Sequence, residues 1–193
     1  MASDDFFEKT ALFSFLPVHE RSSIKKKFSR QNCKKDEFIF FEGEVCQALY
    51  ILLEGKIKII KQSSDGKEII LEFISPGELF GAFALISNSP FPASAVALGP
   101  VEILKLPKKT FCALWEKYPE VTALLTETLG KRLISAHNFK QAISHDTAEI
   151  RLATVILKLF KELQPNEVEI KVTRKELAEL VGTTVETTIR TLG

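Results

Sequence analysis

The sequence is poor in cysteine. Cys33, Cys46 and Cys112 stand far apart in 193 residues, and no C-x-x-C pair exists. A disulfide framework or a closed zinc site is therefore not what organises this chain, and reduced thiols are expected. No apolar run approaches the ~18 residues that span a bilayer. The N-terminus, MASDDFFEKT, is acidic and lacks the basic start and apolar stretch of a secretion signal. Charge of one sign is missing too: Lys plus Arg number 26, Asp plus Glu 25, and the formal net charge is +1. Gross charge thus neither requires nor excludes a nucleic-acid partner. Nucleophile elbows, Walker loops, H-E-x-x-H and dinucleotide fingerprints are all absent, so no enzyme is expected. His145 and Asp146 adjoin, but neighbours in sequence are not a catalytic dyad. The expectation is a soluble cytoplasmic protein without a membrane partner. Hydrophobic residues at 45% and charged residues at 26% suit a globular chain of one large or two small domains.

What is present falls into three patterns. From Phe38 to Leu106, β-forming runs alternate with turn signals. Phe38–Phe41 ends at Glu42-Gly43, Ala48–Leu53 at Glu54-Gly55, Lys56–Ile60 at Ser63-Ser-Asp-Gly66, and Glu68–Ile74 at Pro76-Gly77. Ala93–Ala97 and Val101–Leu106 flank Gly99-Pro100. Short strands at such spacing predict a β-barrel or sandwich. A long proline-free stretch follows Pro119, where Thr122, Leu129, Ala136 and Ile143 recur every seven residues with Leu125 and Phe139 between. This is the pattern of a short coiled-coil seam interrupted by Arg132, or of an amphipathic helix packed on its own domain.

The third pattern begins near Asp146. An apolar stripe, Ile150, Leu152, Ala153, Ile156, Leu157 and Phe160, predicts a helix ended by Pro165. Val168–Val172 alternates as a strand. Thr173-Arg-Lys-Glu176 and Thr183-Thr-Val-Glu186 each read as a capping box opening a short helix, with Gly182 between. Two short capped helices joined at a glycine outline a helix-turn-helix, whose second helix would lie in the DNA major groove. Glu186 and Arg190 share a face of that helix. Arg can fork onto guanine and Glu can accept from the cytosine amino group; an ordinary surface ion pair is the other reading. Thr183, Thr184 and Thr187 suit phosphate contacts or capping.

The whole chain resembles the Crp/Fnr family of bacterial transcription regulators. The resemblance rests on Phe41-Glu-Gly-Glu44, Leu49–Lys58 (LYILLEGKIK), Pro76–Gly81 (PGELFG), Val172–Ala178 (VTRKELA) and Gly182–Arg190 (GTTVETTIR). It implies an α+β chain: an antiparallel, jelly-roll-like β-roll that senses an effector (1–117), a long dimerisation helix with its hinge (118–145), and a winged helix-turn-helix domain (146–193). The sequence stops at Gly193, short of the family's wing, so the last domain is expected to be incomplete and to bind DNA weakly as written. The Val-Glu-Thr-x-x-Arg pattern is more similar to the Fnr branch than to the cyclic-AMP receptor, which has Arg at the place of Val185. The resemblance implies a homodimer on double-stranded DNA, reading a palindrome of TTGA-like half-sites. Glu186 and Arg190 would read bases, Val185 would touch a thymine methyl, and Thr173, Thr183 and Thr184 would complete the DNA face. A second reading is a ligand- or protein-binding module of the same type that does not use its helix-turn-helix on DNA.

The resemblance also locates an effector pocket, at Gly81, Ala82, Phe83, Ala93, Ser94, Ala136 and His137. In nucleotide-binding relatives a Glu holds the ribose and an Arg neutralises the phosphate. Here Gly81 and Ser94 are retained, the Glu position is Ala82, and the Arg position falls on Ala93, or on Pro92 with another gap. The adenine-facing Thr falls on Ala136. Alanines form no charge-assisted bond, so cyclic AMP is not the expected effector. Phe80, Phe83, Leu85, Ile86 and Phe91 would make the pocket apolar. It could hold another small molecule, a haem sensing nitric oxide or carbon monoxide, or its own side chains. His137 is the candidate haem ligand, with His19, Cys46 and His145 behind it. An iron–sulfur cluster of the Fnr type needs four cysteines and is not expected. A redox switch at one of the three cysteines stays open, though none sits in an activating motif.

Overall fold

The computed structural model describes residues 16–62, 68–145, 147–162 and 173–193, the side chains at 139–140, 142–145 and 158–162 apart. Contacts divide the chain into two units, Met1–Ile60 with Glu72–Gly130, and Lys61–Leu71 with Lys131–Gly193.

Helix α1 (Val18–Lys25) comes first, and eight short strands follow it. These are β1 (Ser29–Cys33), β2 (Phe38–Phe40), β3 (Ala48–Glu54), β4 (Ile57–Gln62), β5 (Glu68–Ile74), β6 (Leu79–Phe80), β7 (Ser94–Ala97) and β8 (Val101–Pro107). They form two four-stranded sheets, ordered β1-β8-β3-β6 and β2-β7-β4-β5. The resolved pairings are antiparallel, as in Leu49↔Leu106 and Ile59↔Ala95. Two sheets facing each other bury alternate side chains between them. β3 is central in its sheet, and its apolar run Ala48–Leu52 is buried on both faces. β4 is buried over its first four residues, Lys58 along with Ile57, Ile59 and Ile60.

Two helices sit within the strand order that periodicity did not reveal. Five-residue α2 (Ala82–Ile86) follows β6, and α3 (Lys108–Lys117) follows β8. Phe111 and Leu114 of α3 are buried. The long helix α4 runs over Pro119–His145. Its start is fixed locally: Trp115 Nε1 donates to Thr122 Oγ1 at 2.7 Å, and Val121 and Leu125 enter the core. Two positions of the expected seam are thus committed within the unit, whereas Leu133 and Ile134 are 57% and 62% exposed.

The second unit holds a three-helix cluster: α5 (Ala148–Glu162), α6 (Arg174–Val181) and α7 (Val185–Leu192). α5 packs on both α6 and α7, which also pack on each other. Leu152, Val155, Leu177, Ala178, Leu180, Val181 and Thr188 are buried. The strand expected over Val168–Val172 lies outside the described residues.

Candidate DNA-reading face and effector pocket

Helix α6 begins as its sequence predicts. Thr173 is the N-cap, its hydroxyl accepts from Glu176 N at 3.2 Å, and Glu176 Oε2 accepts from Thr173 N at 2.7 Å. The reciprocal pair satisfies two otherwise orphaned N–H groups. The helix stops at Gly182, whose φ of 66° is a left-handed conformation favoured for glycine. The next N–H, of Thr183, returns to Ala178 O at 3.0 Å.

The second cap differs from its expected form. Thr184, not Thr183, is the N-cap of α7: its hydroxyl accepts from Thr187 N at 3.1 Å. Thr183 is spent on the glycine turn, which shifts the helix start by one residue. Thr187, rather than Glu186, then occupies the third helical position. Glu186 is released from capping and is exposed, as is Arg190 one turn later. Among the described residues no ion pair joins the two, so the surface-pair reading has no contact behind it. Thr188 fixes the rotation of α7: it is 1% exposed, and its hydroxyl donates to Thr184 O at 3.1 Å. At about 100° per residue, Glu186 and Arg190 then straddle the pole opposite the core. Of the remaining expected DNA-face residues, Thr173, Thr184 and Val185 are exposed and Thr183 is half-buried. Sequence reasoning did not single out Ile189, which stands 44% exposed beside this face.

In the β-roll, Gly81 is the N-cap of α2 and Ala82 its first residue, while Ala93 directly precedes β7, which Ser94 opens. Gly81 caps α2 with φ of 77°, and a Cβ there would stand 3.0 Å from the Tyr50 ring and 3.3 Å from that of Phe91. Ala82 and Ala93 are buried. Gly81 borders a cluster of rings through Tyr50 and Phe91. Phe40 stacks on Phe91 with centroids 3.7 Å apart and planes within 8°. Tyr50 lies 5.2 Å from Phe80 and 5.4 Å from Phe40. All four rings are at most 6% exposed. Phe40 and Tyr50 were invisible as pocket residues because they come from β2 and β3, far from the α2 segment in sequence. Ser94 is turned to structural use: its Oγ accepts from Glu42 N at 2.8 Å. Phe83 is 52% exposed on α2. Ala136 and His137 are exposed on α4 in the second unit.

The haem-ligand candidates differ in their surroundings. Cys46 is 1% exposed, and its thiol donates to Ala48 O at 3.3 Å and lies 3.7 Å from Gly81 O. Burial pushes this thiol up, away from the thiolate that binds iron. The His19 side chain is 80% exposed. His145 ends α4, and its side chain is not among those described. The residues present do not fit a haem in the ring-filled roll. The described residues also contain no cluster of three His, Cys, Asp or Glu side chains that could hold a metal ion.

Comparison with known proteins agrees with both halves. Residues 30–118 match the cyclic nucleotide-binding domain, and residues 150–193 match the Crp-like helix-turn-helix domain. A cyclic AMP receptor protein of Thermus thermophilus is 34% identical over 182 residues, which cover 94% of this chain and 83% of that protein. The fold is similar to FixK2 from Bradyrhizobium japonicum, with a TM-score of 0.77 at 24% identity, covering 86% of this chain and 82% of that one. It is similar as well to the c-di-GMP responsive global regulator CLP of Xanthomonas campestris, with a TM-score of 0.78 at 21% identity over 91% and 90% of the two chains. With both domains matched in order along one chain and a relative at that identity and coverage, the chain belongs to the Crp/Fnr family of transcription regulators.

Proposed function

We propose that two copies of this regulator pair along α4 and set their α7 helices into the major groove of one palindromic DNA site, under the control of something other than cyclic AMP. The observation that carries the DNA half is the capping shift at Thr184. It leaves Glu186 and Arg190 unengaged and exposed on the outer pole of α7, where a carboxylate and a guanidinium can meet cytosine and guanine edges. The hydroxyls of Thr173 and Thr184 serve their own helix caps, donating to Glu176 Oε2 at 2.8 Å and to Thr187 Oγ1 at 3.0 Å. Pairing through α4 is supported by the exposed Leu133 and Ile134, apolar side chains that a second helix would cover. The protein acts in the cytoplasm and not as an enzyme; among the described residues no helix is long and apolar enough to cross a membrane.

Exclusion of cyclic AMP rests on chemistry under α2. Ala82 and Ala93 offer no partner to ribose or phosphate, and the space below is packed with four rings. An unpaired phosphate pressed into an apolar site would be strongly disfavoured. The same packing argues against haem. The roll's own rings take the place of a bound effector in this arrangement, and any small-molecule control acts by opening that packing or at another surface.

The test is a mobility-shift titration of the full-length protein against duplexes selected from a randomised pool. Arg190→Ala is expected to cost about 1–3 kcal/mol and to relax preference at one base pair per half-site. A uniform loss across all duplexes, with preference unchanged, would remove Arg190 from base reading.

A further inference from the structure

Strand β2 and the residue after it carry the run Phe38-Ile-Phe-Phe41, and the rings of this run part company. The register to β7 shifts between Phe38, opposite Val96, and Phe40, opposite Ala95. A bulge of this kind re-aims side chains at a sheet edge, and β2 is an edge strand. Phe40 enters the core at 5% exposed, whereas Phe38 and Phe41 are 38% and 48% exposed. The outer two stack on each other, with centroids 4.3 Å apart and planes within 16°. The turn that follows is held in place. Glu42 N donates to Ser94 Oγ at 2.8 Å, and Gly43 N donates to Phe91 O and Phe91 N to Glu44 O, both at 2.9 Å. Glu44 Oε2 accepts from Phe41 N at 3.1 Å. Asp36, Glu37, Glu42 and Glu44 flank the two rings in the chain and are exposed. Residues 36–47 hold these four carboxylates and no Lys or Arg, and Lys34 and Lys35 precede the turn at Asp36.

We propose that the Phe38–Phe41 pair is a docking site for a basic segment of a partner protein, whose arginine lays its guanidinium on an open ring face and forks onto a neighbouring carboxylate. The charge around the rings selects the partner. Four carboxylates repel a phosphate backbone, so this face is not a second nucleic-acid surface. An uncharged apolar partner would take the same carboxylates out of water with nothing to pair them. A cation that also stacks meets both demands: a guanidinium is attracted to the face of an aromatic ring, and its planar fork matches a carboxylate. A lysine ammonium reaches either group only as a point charge. The hydrogen bonds of the 41–44 turn fix the surface before the partner arrives, which lowers the ordering cost of binding. This site lies on the roll and requires nothing of α7.

The test is the fluorescence anisotropy of a fluorescein-labelled hexa-arginine peptide titrated with the full chain at physiological salt. Binding should saturate at one peptide per chain, and a hexalysine peptide of the same charge should bind several-fold more weakly. Phe38→Leu and Phe41→Leu keep the apolar bulk and remove the ring, and each should cost about two- to fivefold in affinity. Glu42→Gln, a surface change that leaves the rings in place, should weaken binding as well. Glu116→Gln, at an exposed position of α3 outside this run, should leave it unchanged. Equal affinity for the two peptides overturns the proposal, since charge alone would then suffice. So do leucine variants that bind as the parent does, or a Glu116→Gln loss as large as that of Glu42→Gln. If a leucine variant loses the parent's circular dichroism, the two glutamine variants and the hexalysine comparison decide. A molar mass by light scattering that is higher for the parent alone than for Phe41→Leu alone would make a second copy of the chain the occupant, and would also overturn it.

Discussion

Tyr50 carries a phenol into the ring cluster under α2, where it is 6% exposed. Burial, with smaller contributions from Cys46 and Glu44, pushes its pKa up to about 12, from about 10 in an open chain. The folded state holds the proton more tightly than the unfolded state. This contribution to stability is complete below pH ~10 and is lost as pH rises through the folded value. Tyr50→Phe removes the titrating group without changing the ring. Its far-ultraviolet circular dichroism should persist to higher pH than that of the parent, and superimposable alkaline transitions would contradict the assignment. Residue-level legibility was uneven. The box at Thr173 and Glu176 could be read directly, because both partners lie within four residues. The second cap could not be placed to the residue. Thr183 and Thr184 are the same amino acid, and the choice is made by the return of Thr183 N to Ala178 O across the glycine turn.

At the scale of elements, strands with clear turn signals were legible to within a residue or two. β5 spans the expected Glu68–Ile74, and β8 exceeds Val101–Leu106 by Pro107 alone. The two-residue β6 and five-residue α2 were not legible, since neither is long enough to show a period. These short pieces position the pocket, so its neighbourhood could be guessed but its contents could not. The ring cluster depends on β2 and β3 delivering Phe40 and Tyr50 to Phe91, some fifty and forty positions away in the chain. Sequence spacing does not encode that meeting. If the rings form a packed core, Phe91→Ala should lower the unfolding free energy by about 3–5 kcal/mol in a urea titration. A change below about 1 kcal/mol would mean that Phe91 covers an open site.

At the scale of the molecule, the order of roll, long helix and helix-turn-helix was legible from motifs in both halves, and the family matches bear it out. The seam on α4 was legible only in part. Heptad spacing included Thr122 and Leu125, yet the first bonds Trp115 and the second is buried within its own unit. Spacing reports apolar periodicity but not which partner claims each turn. The apolar residues left uncovered, Leu133 and Ile134, lie farther along the helix. The most direct test of paired, cyclic-AMP-independent DNA reading is the molar mass, by light scattering, of the full-length protein on its selected duplex at physiological salt, with and without cyclic AMP. The account predicts two chains per duplex and the same affinity in both conditions. One chain per duplex, or saturable tightening by cyclic AMP, would contradict it.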